Sequence, residues 1–306
     1  MKKYILIGNY GVGNLGDEAL KEYFLRTFPE VQWQVLSAHP SDNEYHRLPC
    51  GVRSFFSTSW WKTLGVLWRC DGVVFGGGSL FTDSESVRAC VLWWIHACIV
   101  RFFHKPIHLA FQGIGPFHTM LGTWCARWIL RRVMTVSVRD ILSEERVLSF
   151  QLNTEIVLSF DPIYKEILLK ETERSQNVFT IIPRKNSPKA FWNMANEYRE
   201  SQTWDDVRVV YVQEEHCPFR DVTVFCVDSL DDLSRRIEES SFVFAQRYHG
   251  ALVALALGVP FSVLPQSTGD KLEALIREQR VGREEVLRRI ERGEKLLRQG
   301  MCFFTS

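Results

Sequence analysis

The chain alternates between strand-like and helix-like runs, and this alternation limits its fold more than any other feature. An apolar run at Lys3 to Gly8 precedes a helix-like segment at Asp17 to Phe28, and comparable pairs continue to about Phe160. The pattern restarts at Asn177 to Ile182 and continues to Leu264. Repeated strand-helix alternation builds βαβ units around a parallel sheet. The sequence therefore predicts an α/β protein.

Two α/β domains fit this pattern, because 306 residues exceed what one hydrophobic core usually holds. The segment Asp161 to Gln176 starts with Asp161-Pro162 and then carries many charges. It predicts a linker, with the domain boundary near residue 170. We expect an N-terminal domain over residues 1–170 and a C-terminal domain over residues 171–306. The segment Arg283 to Arg298 carries one apolar stripe among many charges. It predicts an amphipathic surface helix in the second domain.

Three glycine-rich segments follow strand-like runs in the first domain. They are Gly11-Val12-Gly13-Asn14-Leu15-Gly16, Gly76-Gly77-Gly78 and Gln112-Gly113-Ile114-Gly115-Pro116. Glycines at strand ends let a ligand approach the backbone amides, so three such segments predict a ligand cleft. The first matches G-x-G-x-x-G, but Asp17 and Glu18 would place carboxylates where a pyrophosphate binds. This disfavours a dinucleotide, and Asp17 is predicted to cap the helix instead.

The segment Arg247-Tyr248-His249-Gly250 is the strongest candidate site in the second domain. It lies between a strand-like run and an Ala/Leu-rich helix, so Arg247 and the helix start can attract an anion together. His249 can exchange a proton near neutral pH. Lys271 could add a second cation, or be an ordinary surface lysine. The pair Arg139-Asp140 could line the cleft or form a salt bridge.

These motifs, together with Asp161-Pro162 and Gly258-Val259-Pro260, resemble in their order the polysaccharide pyruvyl transferase family. The resemblance implies two Rossmann-like domains of GT-B-like type with the active site between them. It implies pyruvyl transfer from phosphoenolpyruvate to sugar hydroxyls of a polysaccharide precursor, commonly as a cyclic ketal. His249 would be the catalytic histidine and Arg247 its neighbouring arginine. Arg139, Lys271 and Gly250 would bind the donor.

On the same interpretation the first domain binds the acceptor, a nucleotide-linked or lipid-linked sugar. The acceptor-binding residues would be Asn14, Asp17, Gly76, Gly77, Gly78 and Gln112. Phosphoenolpyruvate is a compact trianion, and it needs several local cations rather than one broad basic surface. The net charge of +1, from 37 basic and 36 acidic residues, agrees with this and argues against nucleic acid as a partner.

Two other functions remain open at this point. The chain could be a GT-B glycosyltransferase with a nucleotide-sugar donor, or a non-catalytic carbohydrate- or nucleotide-binding relative. The released product distinguishes a glycosyltransferase from a pyruvyl transferase. A pyruvyl transferase releases phosphate from phosphoenolpyruvate, whereas a glycosyltransferase releases nucleotide from a nucleotide sugar. No cofactor besides the co-substrate phosphoenolpyruvate is expected. No metal is expected either, since the pair His96 and Cys98 points to different sides of a helix. The acceptor sugar and the oligomeric state are left open.

Eight scattered cysteines without a C-x-x-C motif and the lack of an export signal predict a cytoplasmic protein. The apolar stretch Val91 to Val100 is too short to span a bilayer. The tryptophan-rich region from Trp60 to Trp94 is interpreted as core packing. Peripheral contact with the inner face of a membrane is its alternative, because indole rings favour the headgroup region.

Overall fold

The computed structural model describes residues 1–49, 52–84, 86–167, 177–213 and 215–302. The chain divides into two compact units. The first comprises residues 1–163 together with the C-terminal segment that begins at Val281, and the second comprises Tyr164–Arg280. The predicted boundary near residue 170 lies outside the described residues.

The first unit is built on a parallel sheet of seven strands among its described residues, in the order β3-β2-β1-β4-β5-β6-β7. The strands are β1 (Lys2–Ile7), β2 (Val31–Ser37), β3 (Glu44–His46), β4 (Gly72–Gly76), β5 (Ile107–Gln112), β6 (Thr135–Val138) and β7 (Ile156–Leu158). Every residue of β4, β5 and β6 is buried. Strands that are buried along their whole length are typical of a parallel sheet covered on both faces.

Helices cover both faces of this sheet. They are α1 (Leu15–Thr27), α2 (Val52–Ser57), α3 (Trp60–Arg69), α4 (Val87–Phe102), α5 (Met120–Leu130), α6 (Ile141–Ser149), the short α7 (Ile163–Glu166) at the unit boundary and, at the end of the chain, α12 (Arg283–Cys302). Ile107 and Leu109 of β5 join the core under α3, α4 and α5, whereas His108 lies against Gly300 of α12. Alternate strand residues point to opposite faces, so α12 covers the face opposite α4 and α5.

The second unit has a smaller parallel sheet in the order β10-β9-β8-β11-β12. Its strands are β8 (Val178–Ile182), β9 (Asp206–Tyr211), β10 (Thr223–Cys226), β11 (Phe242–Ala245) and β12 (Phe261–Val263), and its helices are α8 (Lys189–Glu200), α9 (Leu230–Glu238), α10 (Tyr248–Ala256) and α11 (Lys271–Glu278). Aromatic stacking fills its core, with the ring centroids of Phe191 and Phe244 4.8 Å apart.

The C-terminal helix corrects the predicted domain assignment, because α12 belongs to the first unit. Tyr23 Oη donates a hydrogen bond to Glu294 Oε1 at 2.6 Å, and Lys2 Nζ donates to the carbonyl of Met301 at 2.7 Å. Gly293 packs against Phe111 of β5. An apolar stripe shows that a helix packs on something, but only these contacts identify the surface.

Asp161-Pro162 also differs from its predicted place in a linker. Asp161 is 1% exposed and accepts a hydrogen bond from the Ile163 amide at 3.1 Å. The segment directly after β7 is therefore part of the first unit's core.

Candidate functional site

Strand order reverses once in each sheet, and the candidate residues gather at these two positions. In the first sheet the chain runs outward from β1 through β2 to β3, and β4 then lies on the other side of β1. In the second sheet β11 takes the corresponding place beside β8. Ligands of open α/β sheets bind at the carboxyl ends of the strands beside such a reversal. Each unit therefore has a candidate site, formed by β1 and β4 in the first and by β8 and β11 in the second.

Arg247 lies at the reversal of the second sheet. It is the N-cap residue of α10, directly after β11, and its side chain is partly buried. Arg247 Nε donates a hydrogen bond to the carbonyl of Pro183, which follows β8, at 3.2 Å. The amide of Gln246 donates to the carbonyl of Ile182 at 2.9 Å. These bonds fix the guanidinium beside the end of β8.

Arg184 is a second cation at this position, and our sequence reasoning missed it. Burial lowers the pKa of Arg247, and the nearby charge of Arg184 lowers it further, while Glu215 acts in the opposite direction. Two guanidinium groups held this close favour the binding of an anion between or beside them. The signal was present in the sequence, since Pro183-Arg184-Lys185 directly follows a strand-like run.

The loop after β8 is fixed by side-chain hydrogen bonds. Ser187 Oγ accepts a hydrogen bond from the amide of Arg184 at 3.0 Å and donates to Oε1 of the buried Gln246 at 2.7 Å. The amide of Asn186, which has a φ of 57°, donates to Glu215 Oε1 at 2.7 Å. The loop that carries Arg184 is therefore hydrogen-bonded to Gln246, directly after β11, and to Glu215, in the segment that follows β9.

His249 is the second residue of α10 and is partly buried. Its ring lies edge-on to that of Tyr248, with centroids 5.2 Å apart. Gly250 follows on the buried side, where a Cβ atom would lie 3.0 Å from two carbon atoms of Ile182. Gly250 therefore lets the start of α10 approach the end of β8, which keeps Arg247 and His249 at the same sheet edge.

Lys271 begins α11 after β12, the strand next to β11, and its side chain is partly buried. Asp270 caps this helix, because its carboxylate accepts hydrogen bonds from the amides of Gln266, Leu272 and Glu273. Lys271 thus follows the strand beside β11, after the loop of residues 264–270.

Asn14 and Asp17 meet at the reversal of the first sheet. Asn14 is the N-cap of α1 and accepts from the Gly16 amide, so the prediction that Asp17 caps this helix was wrong. Asp17 Oδ2 instead accepts hydrogen bonds from the side-chain amides of Asn14, at 2.7 Å, and Asn9, at 3.3 Å. The side chain of Asn14 caps the helix with its oxygen and donates a hydrogen bond to Asp17 with its nitrogen. Asn and Asp are both common N-cap residues, so the sequence alone does not show which of the two caps α1.

The G-x-G-x-x-G segment binds a carboxylate from the first turn of α1, that of Glu18. Gly11 and Gly13 have φ values of 75° and 73°, as the tight turn requires. The amide of Gly11 donates to Glu18 Oε1 at 2.6 Å, and Lys21 Nζ lies 2.8 Å from Glu18 Oε2. The carboxylate occupies an amide that a phosphate would otherwise use, which agrees with the expectation against a dinucleotide.

The glycines after β4 form the wall opposite Asp17. Gly77 and Gly78 have φ values of 74° and 76°, and a Cβ atom on Gly78 would lie 3.1 Å from Asp17 Oδ1. Gly76 packs under Leu6 and the hydroxyl of Tyr10. Gln112 is fully buried, and its amide donates to the carbonyls of Phe75, at 3.0 Å, and Gly77, at 2.8 Å. Gln112 therefore supports this turn from beneath.

Arg139 lies inside the first unit with 1% of its surface exposed. Its Nη1 is 3.3 Å from Asp161 Oδ2, its Nε is 3.7 Å from Asp140 Oδ2, and its Nη2 donates to Ser79 Oγ at 2.6 Å. Of the two interpretations of Arg139-Asp140, the structure supports the salt bridge. Gly113 makes room for this guanidinium, because a Cβ atom there would lie 3.0 Å from Arg139 Nε.

The described residues contain no group of three or more His, Cys, Asp and Glu side chains arranged to hold a metal ion. His96 is buried and uses both ring nitrogens within the fold. Nε2 accepts from the Leu48 amide at 3.0 Å, and Nδ1 lies 2.8 Å from the carbonyl of Leu92. Burial lowers the pKa of His96 to about 4, so the ring is neutral at physiological pH.

Comparison with solved structures defines the class of protein. S. aureus MnaA with UDP matches with a TM-score of 0.58 and 11% identity, over 96% of this chain and 91% of that one. UDP-N-acetylglucosamine 2-epimerase from Rickettsia bellii matches with 0.57 and 11%, over 99% and 97%. Anabaena HepE with UDP and glucose matches with 0.53 and 10%, over 98% and 96%. The predicted α/β fold of GT-B type, with two Rossmann-like units, is confirmed.

Sequence comparison then identifies the family. The sequence model of polysaccharide pyruvyl transferases matches residues 14–268. This range includes most of the chain, with Gly76-Gly77-Gly78 at the first reversal and Arg247-Tyr248-His249 at the second. The chain therefore belongs to the polysaccharide pyruvyl transferase family. No curated protein sequence matched it.

Proposed function

We propose that this protein transfers a pyruvyl group from phosphoenolpyruvate to hydroxyls of a sugar and forms a cyclic ketal. Family membership supports pyruvyl transfer. The single observation that carries the choice of donor is the position of Arg247 at the start of α10, two residues before His249. Its Nε is bonded to the carbonyl of Pro183, the residue before Arg184.

This position suits a small, multiply charged donor. Arg247 is partly buried, and a charge-assisted hydrogen bond to phosphate or carboxylate is stronger where water is partly excluded. The first amides of α10 add the positive end of the helix dipole. Lys271, one strand away, supplies a further charge for the second anionic group of the same donor. Arg139 has no part in this donor site, because its guanidinium is an internal ion-pair partner.

His249 is the proposed general acid. Protonated His249 transfers a proton to the methylene carbon of phosphoenolpyruvate, and the neighbouring carbon acquires oxocarbenium character. A sugar hydroxyl forms a bond to that carbon and loses its proton, which can return to His249. The bond to phosphate then breaks, and a second hydroxyl forms a bond to the same carbon and closes the ketal. The proton of this second hydroxyl passes to the departing phosphate, which leaves as hydrogen phosphate. Each step needs only proton transfer and electrostatic stabilisation.

The acceptor is proposed to bind at the reversal of the first sheet. Asp17, whose Oδ1 faces Gly78, supplies a carboxylate of the kind that binds sugar hydroxyls. MnaA and HepE were solved with UDP, which favours a nucleotide-linked sugar. A lipid-linked sugar is the second choice.

The test supplies phosphoenolpyruvate with a panel of nucleotide sugars and measures both phosphate release and sugar mass. We expect phosphate release that requires both substrates, and a mass gain of pyruvate minus water. His249→Gln should lower kcat by about 10²- to 10⁴-fold. Arg247→Ala should raise the KM for phosphoenolpyruvate by about tenfold or more, because it removes a charge-assisted contact. His118→Gln is the matched control, since this exposed histidine lies in the first unit.

A glycosyltransferase with a nucleotide-sugar donor is the second candidate, and the UDP complexes of the fold neighbours favour it. Nucleotide release without consumption of phosphoenolpyruvate would support that function and contradict ours. A non-catalytic relative would bind sugar nucleotides with an affinity that His249→Gln leaves unchanged, and it would release neither phosphate nor nucleotide.

A further inference from the structure

Helices α2 to α5 of the first unit expose large apolar side chains to an unusual extent. Trp61 is 62% exposed, Trp68 is 69%, Phe102 is 76% and Met120 is 92%. Phe56, Ile95 and Trp124 are exposed as well. We call these seven side chains the aromatic face. Isolated exposed apolar residues need no explanation, but a contiguous set marks an interaction surface.

Ring contacts connect the helices that carry this face. The ring centroids of Phe55 in α2 and Trp60 in α3 are 5.0 Å apart. Those of Trp68 in α3 and Phe103, the residue after α4, are 6.1 Å apart. Trp94 in α4 lies 5.4 Å from Trp124 in α5. The aromatic face is therefore one surface across four helices.

The outward side of α4 carries the clearest signal. A helix in the outer layer of an α/β unit normally turns polar residues to water. In α4 the positions away from the sheet are Val91, Ile95, Cys98 and Phe102, none of which is buried, while Trp93, His96 and Val100 on its inner side are buried. A helix that is apolar around its circumference is adapted to apolar surroundings on both sides.

Charge on these helices has a single sign. The ranges 52–69, 87–102 and 117–134 contain no Asp or Glu, although the chain has 36 of them. Exposed cations are interspersed with the rings: Lys62, Arg69, Arg101, Arg127 and Arg131. Lys62 Nζ lies 5.7 Å from the centre of the Trp61 ring, and the Arg132 guanidinium lies 4.1 Å from that of Trp128. Tryptophan with Lys and Arg is the composition of surfaces that dock on anionic lipid.

We propose that the aromatic face docks the protein on an anionic lipid bilayer, with its rings at the boundary between headgroups and acyl chains and its cations against lipid phosphates. No helix among the described residues is long and apolar enough to cross a membrane, so the contact is peripheral. A second copy of the chain fits less well. A twofold dimer would place the same cationic surface against itself, and these helices offer no carboxylate to pair with it. Docking would also bring the first unit close to a lipid-linked acceptor.

The test is flotation of the full-length protein with phosphatidylcholine vesicles, with and without phosphatidylglycerol. We expect binding to the anionic vesicles that weakens as salt is raised. Trp68→Ser with Phe102→Ser should weaken partitioning by about tenfold or more, from the apolar area that is no longer buried. Trp61→Ser with Met120→Ser should act similarly, and the 92% exposure of Met120 keeps this pair free of folding defects at that position. Leu148→Ser, on the exposed side of α6, is the matched apolar control.

Lys62→Gln with Arg101→Gln should weaken binding to anionic vesicles by about thirtyfold, from about 1 kcal/mol for each cation near the membrane surface. Lys295→Gln, on the opposite face of the sheet, should leave it unchanged. Circular dichroism melting confirms that each variant folds. The proposal is overturned if the parent protein does not bind anionic vesicles, or if both apolar double variants bind as well as the parent. A parent protein that self-associates but does not bind vesicles would assign the aromatic face to a second copy of the chain, provided that Trp68→Ser with Phe102→Ser abolishes the self-association. Phosphate release from phosphoenolpyruvate, measured with a water-soluble sugar acceptor, should be unchanged in all of these variants. Failure here is therefore distinct from failure of the proposed transferase activity.

Discussion

The buried pair formed by Arg139 and Asp161 should stabilise the first unit strongly, and Asp161→Asn tests this. Both residues are 1% exposed, and Arg139 Nη1 lies 3.3 Å from Asp161 Oδ2. At an effective dielectric constant of about 20, their attraction is about 5 kcal/mol. Asp140, 3.7 Å from Arg139 Nε, would compensate part of the loss. Removal of one partner from a buried pair costs about 3–5 kcal/mol, so we expect about 3 kcal/mol.

Urea unfolding followed by circular dichroism measures this change, and the melting temperature should fall by roughly 6–12 °C. The double variant Arg139→Met with Asp161→Leu should recover part of the loss, because it removes both charges of the closest pair. Asp140 loses its contact with Arg139 but still accepts a hydrogen bond from the Ser143 amide at 2.8 Å. Its KM for phosphoenolpyruvate should equal that of the parent. A change below about 1 kcal/mol for Asp161→Asn would refute the structural role. A KM that rises tenfold in the folded double variant would return Arg139 to the donor site.

Three further predictions concern the first unit. His96 and His108 are buried, and burial lowers the pKa of each to about 4; below pH 6.5 only the unfolded chain gains their protons, so the free energy of unfolding should fall by up to about 3 kcal/mol per histidine between pH 6.5 and 4. Urea titrations across this range measure how the free energy of unfolding changes with pH. His39→Gln, at an exposed position, is the control and should leave this change as it is in the parent protein. A free energy of unfolding that does not change with pH would contradict the prediction. Gly293→Ala should lower the free energy of unfolding by about 1–3 kcal/mol, because its Cβ would lie 2.6 Å from Ser159 Oγ and 2.7 Å from a Phe111 ring carbon. Gly282→Ala is the control, since its Cβ meets open space, and it should be nearly neutral in the same urea titrations. Tyr23→Phe should lower the free energy of unfolding by about 1–3 kcal/mol, because it removes the hydroxyl that donates to the buried Glu294 carboxylate at 2.6 Å. Thermal melts measure the change. An unchanged melting temperature would show that the hydrogen bond between α1 and α12 is not formed in solution.

The sequence was sufficient for features that depend on local pattern. Apolar runs such as β4 identified strands. The glycine-rich segments that contain Gly11, Gly13, Gly77 and Gly78 identified the turns after them, where these glycines have positive φ. Arg247 and His249 were placed correctly at a sheet edge because strand, turn and helix are consecutive there.

Features that depend on tertiary packing were not accessible in the same way. The stripe on α12 fits either sheet, and only its hydrogen bonds to Tyr23 and Lys2 assign it to the first unit. The burial of Arg139 depends on Asp161, 22 residues away in the chain. The association of Arg184 with Arg247 requires the strand order of the second sheet, in which β8 and β11 are neighbours although two strands separate them in sequence.

Membrane docking illustrates the same limit. The tryptophan-rich region was interpreted as core, and for Trp93 that is correct, since it is 4% exposed. Trp61 and Trp68 lie in the same region but point outward. The difference depends on the angular position of each residue around its helix relative to the sheet.

The most direct test of the central claim is the reaction run in D2O with phosphoenolpyruvate and the acceptor that the panel identifies, followed by mass spectrometry of the sugar product. If an acid at the β8–β11 edge protonates the methylene carbon, the product gains a pyruvyl ketal whose methyl group carries one deuterium from solvent, and His249→Gln suppresses its formation. A product that holds no pyruvyl group, with nucleotide released while phosphoenolpyruvate is untouched, would contradict the account.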